Sequence, residues 1–183
     1  MDGLLLDSER LALEAFVRAC AELGWPADLA AYQRCIGSTQ RRTEEILRQA
    51  YGSGFPYEAI DARWSSHYHA RLAEGPVAVK SGAVELLEYL AARNVPVALV
   101  TSTRRPTAEG KLTATRLITY FDCLVCGGET TRGKPHPEPY LTAARALAVD
   151  PVGCWALEDS ANGVRSAHGA GCTVFQVPDL VGP

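Results

Sequence analysis

The sequence predicts an α/β protein in which a parallel-sheet core carries an inserted α-helical unit. Two observations lead there. From residue 77 to residue 183, helix-period stretches alternate with short apolar runs, the pattern of a parallel sheet covered by helices. From about Ser8 to Gly75 the periodicity is helical, with no convincing strand. The expected division is therefore residues 1–8 with 77–183 as the core, and residues 9–76 as a separate helical domain.

Ser8 is placed to cap a helix that carries Leu11, Ala15, Ala19 and Leu23 on one stripe, before Gly24 and Pro26 stop it. Thr43–Ala50 and Tyr57–Ala73 supply further helices. Ser81 is placed to cap a helix with Val84, Leu87, Leu90 and Ala91 on one face. Asn94 ends it, and Val95–Val100 reads as a buried strand. Another helix leads to Phe121 and a strand around Cys123–Cys126. A helix over Pro137–Ala148, a strand over Cys154–Leu157 and a last strand over Val174–Val177 repeat the alternation.

Composition agrees with this reading without dictating it. A chain of 183 residues, 47% of them hydrophobic, is long enough to bury one good core and a small second one. A net charge of −3 gives no electrostatic reason to expect nucleic acid or an anionic membrane as partner. No apolar stretch reaches the roughly 18–20 residues that span a bilayer, and the N-terminus lacks a basic region followed by an apolar core. The default expectation is a cytoplasmic protein, monomeric or weakly dimeric.

Three constellations suggest other chemistry and are set aside on physical grounds. The six cysteines lie mostly in apolar runs, where thiols act as small buried hydrophobes. Cys123 and Cys126 have metal-like spacing but fall in a strand, where residues three apart face opposite ways. Gly128–Lys134 fits seven positions of a P-loop, but Pro135 stands where Ser or Thr must reach magnesium. His67 and His69 have no acidic partner close in sequence and read as solvated side chains.

Four segments carry more specific information, each at an expected strand end. They are Met1-Asp2-Gly3-Leu4-Leu5-Leu6-Asp7, Val97-Ala98-Leu99-Val100-Thr101-Ser102, Gly133-Lys134-Pro135-His136-Pro137-Glu138-Pro139-Tyr140, and Trp155-Ala156-Leu157-Glu158-Asp159-Ser160-Ala161-Asn162-Gly163-Val164 followed by Ala170-Gly171. Thr101, at the carboxyl end of its strand, has a hydroxyl to donate to an anion in the crevice where parallel sheets bind ligands. Lys134 offers an ammonium, and Glu158 and Asp159 offer hard oxygen ligands of the kind Mg2+ takes.

In this order the four segments resemble the motifs of the haloacid-dehalogenase-like (HAD) hydrolases, over nearly the whole chain. The Glu-Asp-Ser wording is similar to the subgroup of β-phosphoglucomutase and phosphoglycolate phosphatase. The resemblance implies a Rossmann-like HAD core with a helical cap inserted after the first motif. Hinges near Asp7–Arg10 and Gly75–Lys80 would let that cap close and exclude water. It also implies Mg2+-dependent hydrolysis of a small phosphorylated metabolite: a sugar phosphate, phosphoglycolate or a nucleoside phosphate. A phosphomutase and a non-catalytic homologue that binds a phospho-ligand or a protein are the alternatives.

The resemblance also distributes roles. Asp2 matches the general acid and base, and its backbone carbonyl matches a metal ligand. Thr101 and Lys134 match the groups that hold the transferring phosphoryl, with Ser102 assisting or contacting substrate. Glu158 and Asp159 match the metal carboxylates. In the inserted unit, Ile36-Gly37-Ser38-Thr39-Gln40-Arg41-Arg42 resembles a substrate-facing segment, where Gly37 permits close backbone approach and Arg41 or Arg42 meets a second anionic group.

In the family the first motif reads Asp-x-Asp-Gly, and its first Asp attacks phosphorus. Met1 stands at the x position, so of that pair the sequence contains Asp2 alone. The expectation is that the natural protein begins upstream with an apolar strand ending in Asp, and that these 183 residues alone are inactive by this mechanism. Relatives are likewise expected to continue past a segment like Pro178–Pro183.

Overall fold

The structure, a computed structural model, describes residues 1–38 and 40–179. Thr39 of the Ile36–Arg42 segment, and the last four residues of the Pro178–Pro183 segment, lie outside the described residues. The chain divides into two compact units, Ser8–Pro76 and Met1–Asp7 with Val77–Pro183.

The unit Ser8–Pro76 is built from α1 (Ser8–Glu22), α2 (Leu29–Cys35), α3 (Gln40–Tyr51) and α4 (Tyr57–Glu74). Ser8 lies in the first turn of α1 rather than before it, and Gly24, at φ +73, follows the helix. The expected stripe on α1 widens to include Phe16 and Cys20, which are fully buried with Leu47, Phe55 and Ile60. Burial of such side chains stabilises by roughly 1.5–3 kcal/mol each. Aromatic contacts organise this core: Phe16 meets Trp64 edge-on at 5.0 Å and Tyr51 stacks on Phe55 at 4.3 Å. Helix α2 was not predicted, because seven residues are too few to display a period. Its start is nonetheless written locally, since the Asp28 side chain accepts from the Ala31 amide at 2.9 Å.

The other unit alternates α5 (Ala83–Ala91), β1 (Ala98–Val100), α6 (Arg105–Ala114), β2 (Cys123–Val125), α7 (Glu138–Ala146), β3 (Trp155–Glu158), α8 (Ala161–Gly169) and β4 (Thr173–Gln176). Both strand pairs are parallel: β1 aligns Ala98 with Cys123 of β2, and β3 aligns Trp155 with Thr173 of β4. Among the described residues these are two separate pairs, and each strand is three or four residues long.

The cap of α5 departs from expectation. Gly82, at φ +84, precedes the helix with no side-chain cap, so Ser81 does not fill that role. Asn94 ends the following turn at φ +51, a conformation that Asn tolerates better than most residues. The two stretches of chain that border Ser8–Pro76 lie together: the Asp7 amide donates to the Ala78 carbonyl at 2.9 Å and the Lys80 amide to the Leu5 carbonyl at 2.8 Å. Among the described residues, no helix is long and apolar enough to cross a membrane.

Candidate active site

Strands β1 and β3 deliver two of the expected groups at their carboxyl ends. Thr101 follows β1 and is buried, and its amide donates to the Val125 carbonyl at 2.9 Å, continuing the ladder with β2. Ser102 is exposed on the next turn. The chain can turn there because Gly127 has no side chain, since a Cβ at that position would collide with the Ser102 carbonyl. Glu158 ends β3 and is 4% exposed.

Lys134 joins the two strand pairs. Its ammonium donates to the Val100 carbonyl at 3.0 Å, at the end of β1, and to the Glu158 carboxylate at the end of β3. The Tyr140 hydroxyl donates to the same Glu158 oxygen, and the Tyr140 ring lies 5.3 Å from the ammonium. Burial, together with the Glu158 charge, pushes the Tyr140 hydroxyl well above its ordinary range, so it remains a donor. Gly163, in the first turn of α8, completes the enclosure: a Cβ there would overlap the Glu158 carboxylate. The Ser160 hydroxyl caps that helix by accepting from the Gly163 amide at 3.2 Å.

Asp159 points elsewhere. Its carboxylate occupies the space where a Cβ on Gly3 would stand, and the φ of +73 at Gly3 is one that only glycine adopts readily. Burial raises the Asp159 pKa above its ordinary value; the Met1 ammonium is the largest opposing influence, the Glu158 charge adds to the shift, and Lys134 opposes it more weakly.

Asp2 is held from the β1 side. Lys111 of α6 donates to its Oδ1 at 2.6 Å, and the Thr103 hydroxyl donates to its Oδ2 at 2.8 Å. The Thr103 amide in turn donates to Thr101 Oγ1 at 3.2 Å. Asp2 and Thr101 are thus joined through Thr103, Lys134 and Glu158 are joined directly, and Asp159 lies against Gly3, all within the unit Met1–Asp7 with Val77–Pro183. Thr103, Lys111 and Tyr140 went unassigned from sequence. Tyr140 sits within the third motif, but nothing in local spacing marks Lys111, whose meeting with Asp2 depends on how α6 packs.

Gly37 and Arg41 belong to the unit Ser8–Pro76. Gly37, at φ +70, lines a cavity of about 250 Å3 with Glu9, Tyr32, Ser38 and Trp64. Arg41 is 91% exposed and pairs with Glu45, one turn along α3, at 3.4 Å. Arg42 pairs with the same glutamate at 3.0 Å.

All six cysteines are free thiols, and no group of three His, Cys, Asp or Glu side chains able to hold a metal occurs among the described residues. A metal near Asp159 would thus depend on backbone carbonyl, water and substrate oxygens as well. Mg2+ accepts that set, because it keeps several waters and binds through one or two carboxylates. His67 does have an acidic neighbour, Glu22 of α1 at 3.0 Å, supplied by helix packing rather than by sequence proximity.

Comparison with known proteins identifies the family. Residues 1–177 match the family model of haloacid dehalogenase-like hydrolases. The phosphorylated carbohydrates phosphatase of Thermotoga maritima is 33% identical over 175 residues, which cover 93% of this chain and 79% of that protein. The validoxylamine A 7'-phosphate phosphatase of Streptomyces hygroscopicus subsp. limoneus is 33% identical, with the same two coverages. Among solved structures, CbbY from Rhodobacter sphaeroides in complex with phosphate superposes with a TM-score of 0.74 at 29% identity, over 97% of this chain and 83% of that one. The α/β core with its helical insertion is thus a HAD fold, and the chain belongs to the haloacid dehalogenase-like hydrolase family.

Proposed function

We propose that this chain is of the phosphatase lineage that hydrolyses a small phosphorylated metabolite, with Mg2+ as cofactor and an aspartyl phosphate as intermediate. The observation that carries the reading is that Thr101, Glu158 and Asp159 stand at the carboxyl ends of the parallel strands β1 and β3, where Lys134 bonds to Glu158 and to the Val100 carbonyl, and where Thr103 holds both Asp2 and the Thr101 hydroxyl. Parallel α/β sheets bind ligands at that end. Phosphoryl transfer asks for what these groups offer: positive charge and donors at the equatorial oxygens, and a proton for the leaving oxygen.

Each residue then has a task. The Thr101 hydroxyl and the Lys134 ammonium bind phosphoryl oxygens, and Glu158 with Tyr140 holds that ammonium in place. Asp2 gives its proton to the departing ester oxygen and later takes one from the attacking water. Asp159 and the Asp2 backbone carbonyl would hold Mg2+, with Glu158 beside them. The metal would supply charge neutralisation on the phosphoryl oxygens. Ser102, Gly37 and Arg41 are assigned to substrate contact. In the family the attacking carboxylate stands two positions ahead of the residue that Asp2 matches. Similarity to a phosphorylated carbohydrates phosphatase and to a validoxylamine A 7'-phosphate phosphatase supports a sugar phosphate or a related ester as substrate.

The test is phosphate release from a panel of small phosphate esters, with Mg2+ present and absent. It compares the 183-residue chain with the same chain preceded by a strand that ends in the first-motif Asp. Turnover by the extended chain alone, and only with Mg2+, is the expected result. Equal turnover by both would overturn the assignment of the nucleophile. Isomerisation of a hexose 1-phosphate without net phosphate release would indicate a mutase instead.

A further inference from the structure

We propose that Lys111 and Thr103 are positioning residues that fix the Asp2 carboxylate relative to the phosphate-binding hydroxyl of Thr101. The inference rests on the acid and base role given to Asp2 above. A free aspartate side chain turns about two bonds, and a proton donor that wanders by about 1 Å loses much of its effect. Here each oxygen has its own donor, Lys111 on Oδ1 at 2.6 Å and Thr103 on Oδ2 at 2.8 Å. Two donors on two oxygens set both the position and the plane of the carboxylate.

Both donors come from one short stretch of chain. Thr101, Thr103 and Lys111 lie within eleven residues, running from the end of β1 into α6. The Thr103 amide donates to Thr101 Oγ1 at 3.2 Å, so the residue whose side chain holds Asp2 also holds the Thr101 hydroxyl through its backbone. The groups that hold the acid and the phosphate-binding hydroxyl thus come from a single segment, against which Asp2 packs from the other end of the chain. Lys111 is suited to the task because its side chain is 9% exposed, which leaves its ammonium few competing waters.

Two experiments test this, and they fail in different ways. In the chain preceded by a strand that ends in the first-motif Asp, Lys111→Met and Thr103→Val are compared on an alkyl phosphate, whose leaving oxygen needs a proton, and on p-nitrophenyl phosphate, whose leaving group needs none. In single-turnover assays both variants should slow the alkyl ester by about tenfold to a hundredfold and leave release of nitrophenolate within about threefold, with Lys111→Arg restoring part of the loss. Equal losses on both esters, or no loss, would overturn the proposal while the phosphatase reading stands. If the extended parent cleaves neither ester, that reading falls and this one with it. In the 183-residue chain itself, Asp2→Asn, Lys111→Met and their combination form a cycle of unfolding constants. A coupling of about tenfold is expected for a close charge pair, and strict additivity would overturn the contact.

Discussion

The Lys134 ammonium and the Glu158 carboxylate form an ion pair at the junction of the two parallel strand pairs, their side chains 10% and 5% exposed. Lys134 also reaches the Val100 carbonyl, and Glu158 also accepts from Tyr140, so each charge is compensated by more than its partner. The Lys134 charge is thus built into the packing of the core.

Breaking that pair from one side should be costly. Lys134→Met leaves the Glu158 carboxylate buried with one hydroxyl donor, and the loss of stability is expected to be about 3–5 kcal/mol. The double variant Lys134→Met/Glu158→Gln should lose less than the sum of the single changes, because the stranded charge is gone. Urea unfolding of the four proteins measures this, and additive losses would show the pair to be energetically independent.

The raised pKa of Asp159 makes a prediction with a definite sign. Between its ordinary value of 3.8 and its raised folded value, the folded chain binds more protons here than the unfolded chain does. Stability attributable to this group therefore falls as pH rises through that window. Asp159→Asn should be more stable than the parent at neutral pH, and the advantage should close below pH 3.8. Thermal midpoints across pH in the absence of divalent cations check this.

Added Mg2+ should reverse that ranking. A cation bound at Asp159 in the folded state alone stabilises by about 2.7 kcal/mol at a hundredfold excess over its dissociation constant. The parent midpoint should rise with Mg2+ concentration and that of Asp159→Asn should not. A rise of equal size in both would move the metal away from Asp159.

Two glycines in helices should respond to the same substitution in opposite ways. Gly110, inside α6, has open space where a Cβ would go, so Gly110→Ala should gain up to about 1 kcal/mol from helix propensity. Gly163→Ala in α8 offers the same propensity, but its methyl group would overlap the Glu158 carboxylate, which Lys134 and Tyr140 hold in place. A net loss of stability is expected there, with weakened phosphate binding. Stabilisation by both changes would mean that Glu158 has room to move.

Much of the fold was legible because it is written in local periodicity. The apolar stripe of α1, the ends of α4 and the alternation of helices with strands β1 to β4 need only near neighbours in sequence to declare themselves. The candidate site was legible in part for the same reason, since Thr101, Lys134, Glu158 and Asp159 lie at strand ends or in short motifs. What stayed hidden involves distance along the chain. Helix α2 is too short to show a period, and the αL conformation of Gly82, which displaced the expected Ser81 cap, is a property of the path between elements.

The amino-acid sequence by itself determined the α/β class, the helical insertion and the family, because periodicity and motif order survive in one dimension. Only the tertiary structure decided which charges meet. Asp2 and Lys111 are 109 positions apart, Lys134 and Glu158 are 24 apart, and Gly3 faces Asp159 from the other end of the chain. Contacts of this kind arise when buried apolar faces bring distant elements together, and the electrostatics then settle on whatever partners that packing supplies.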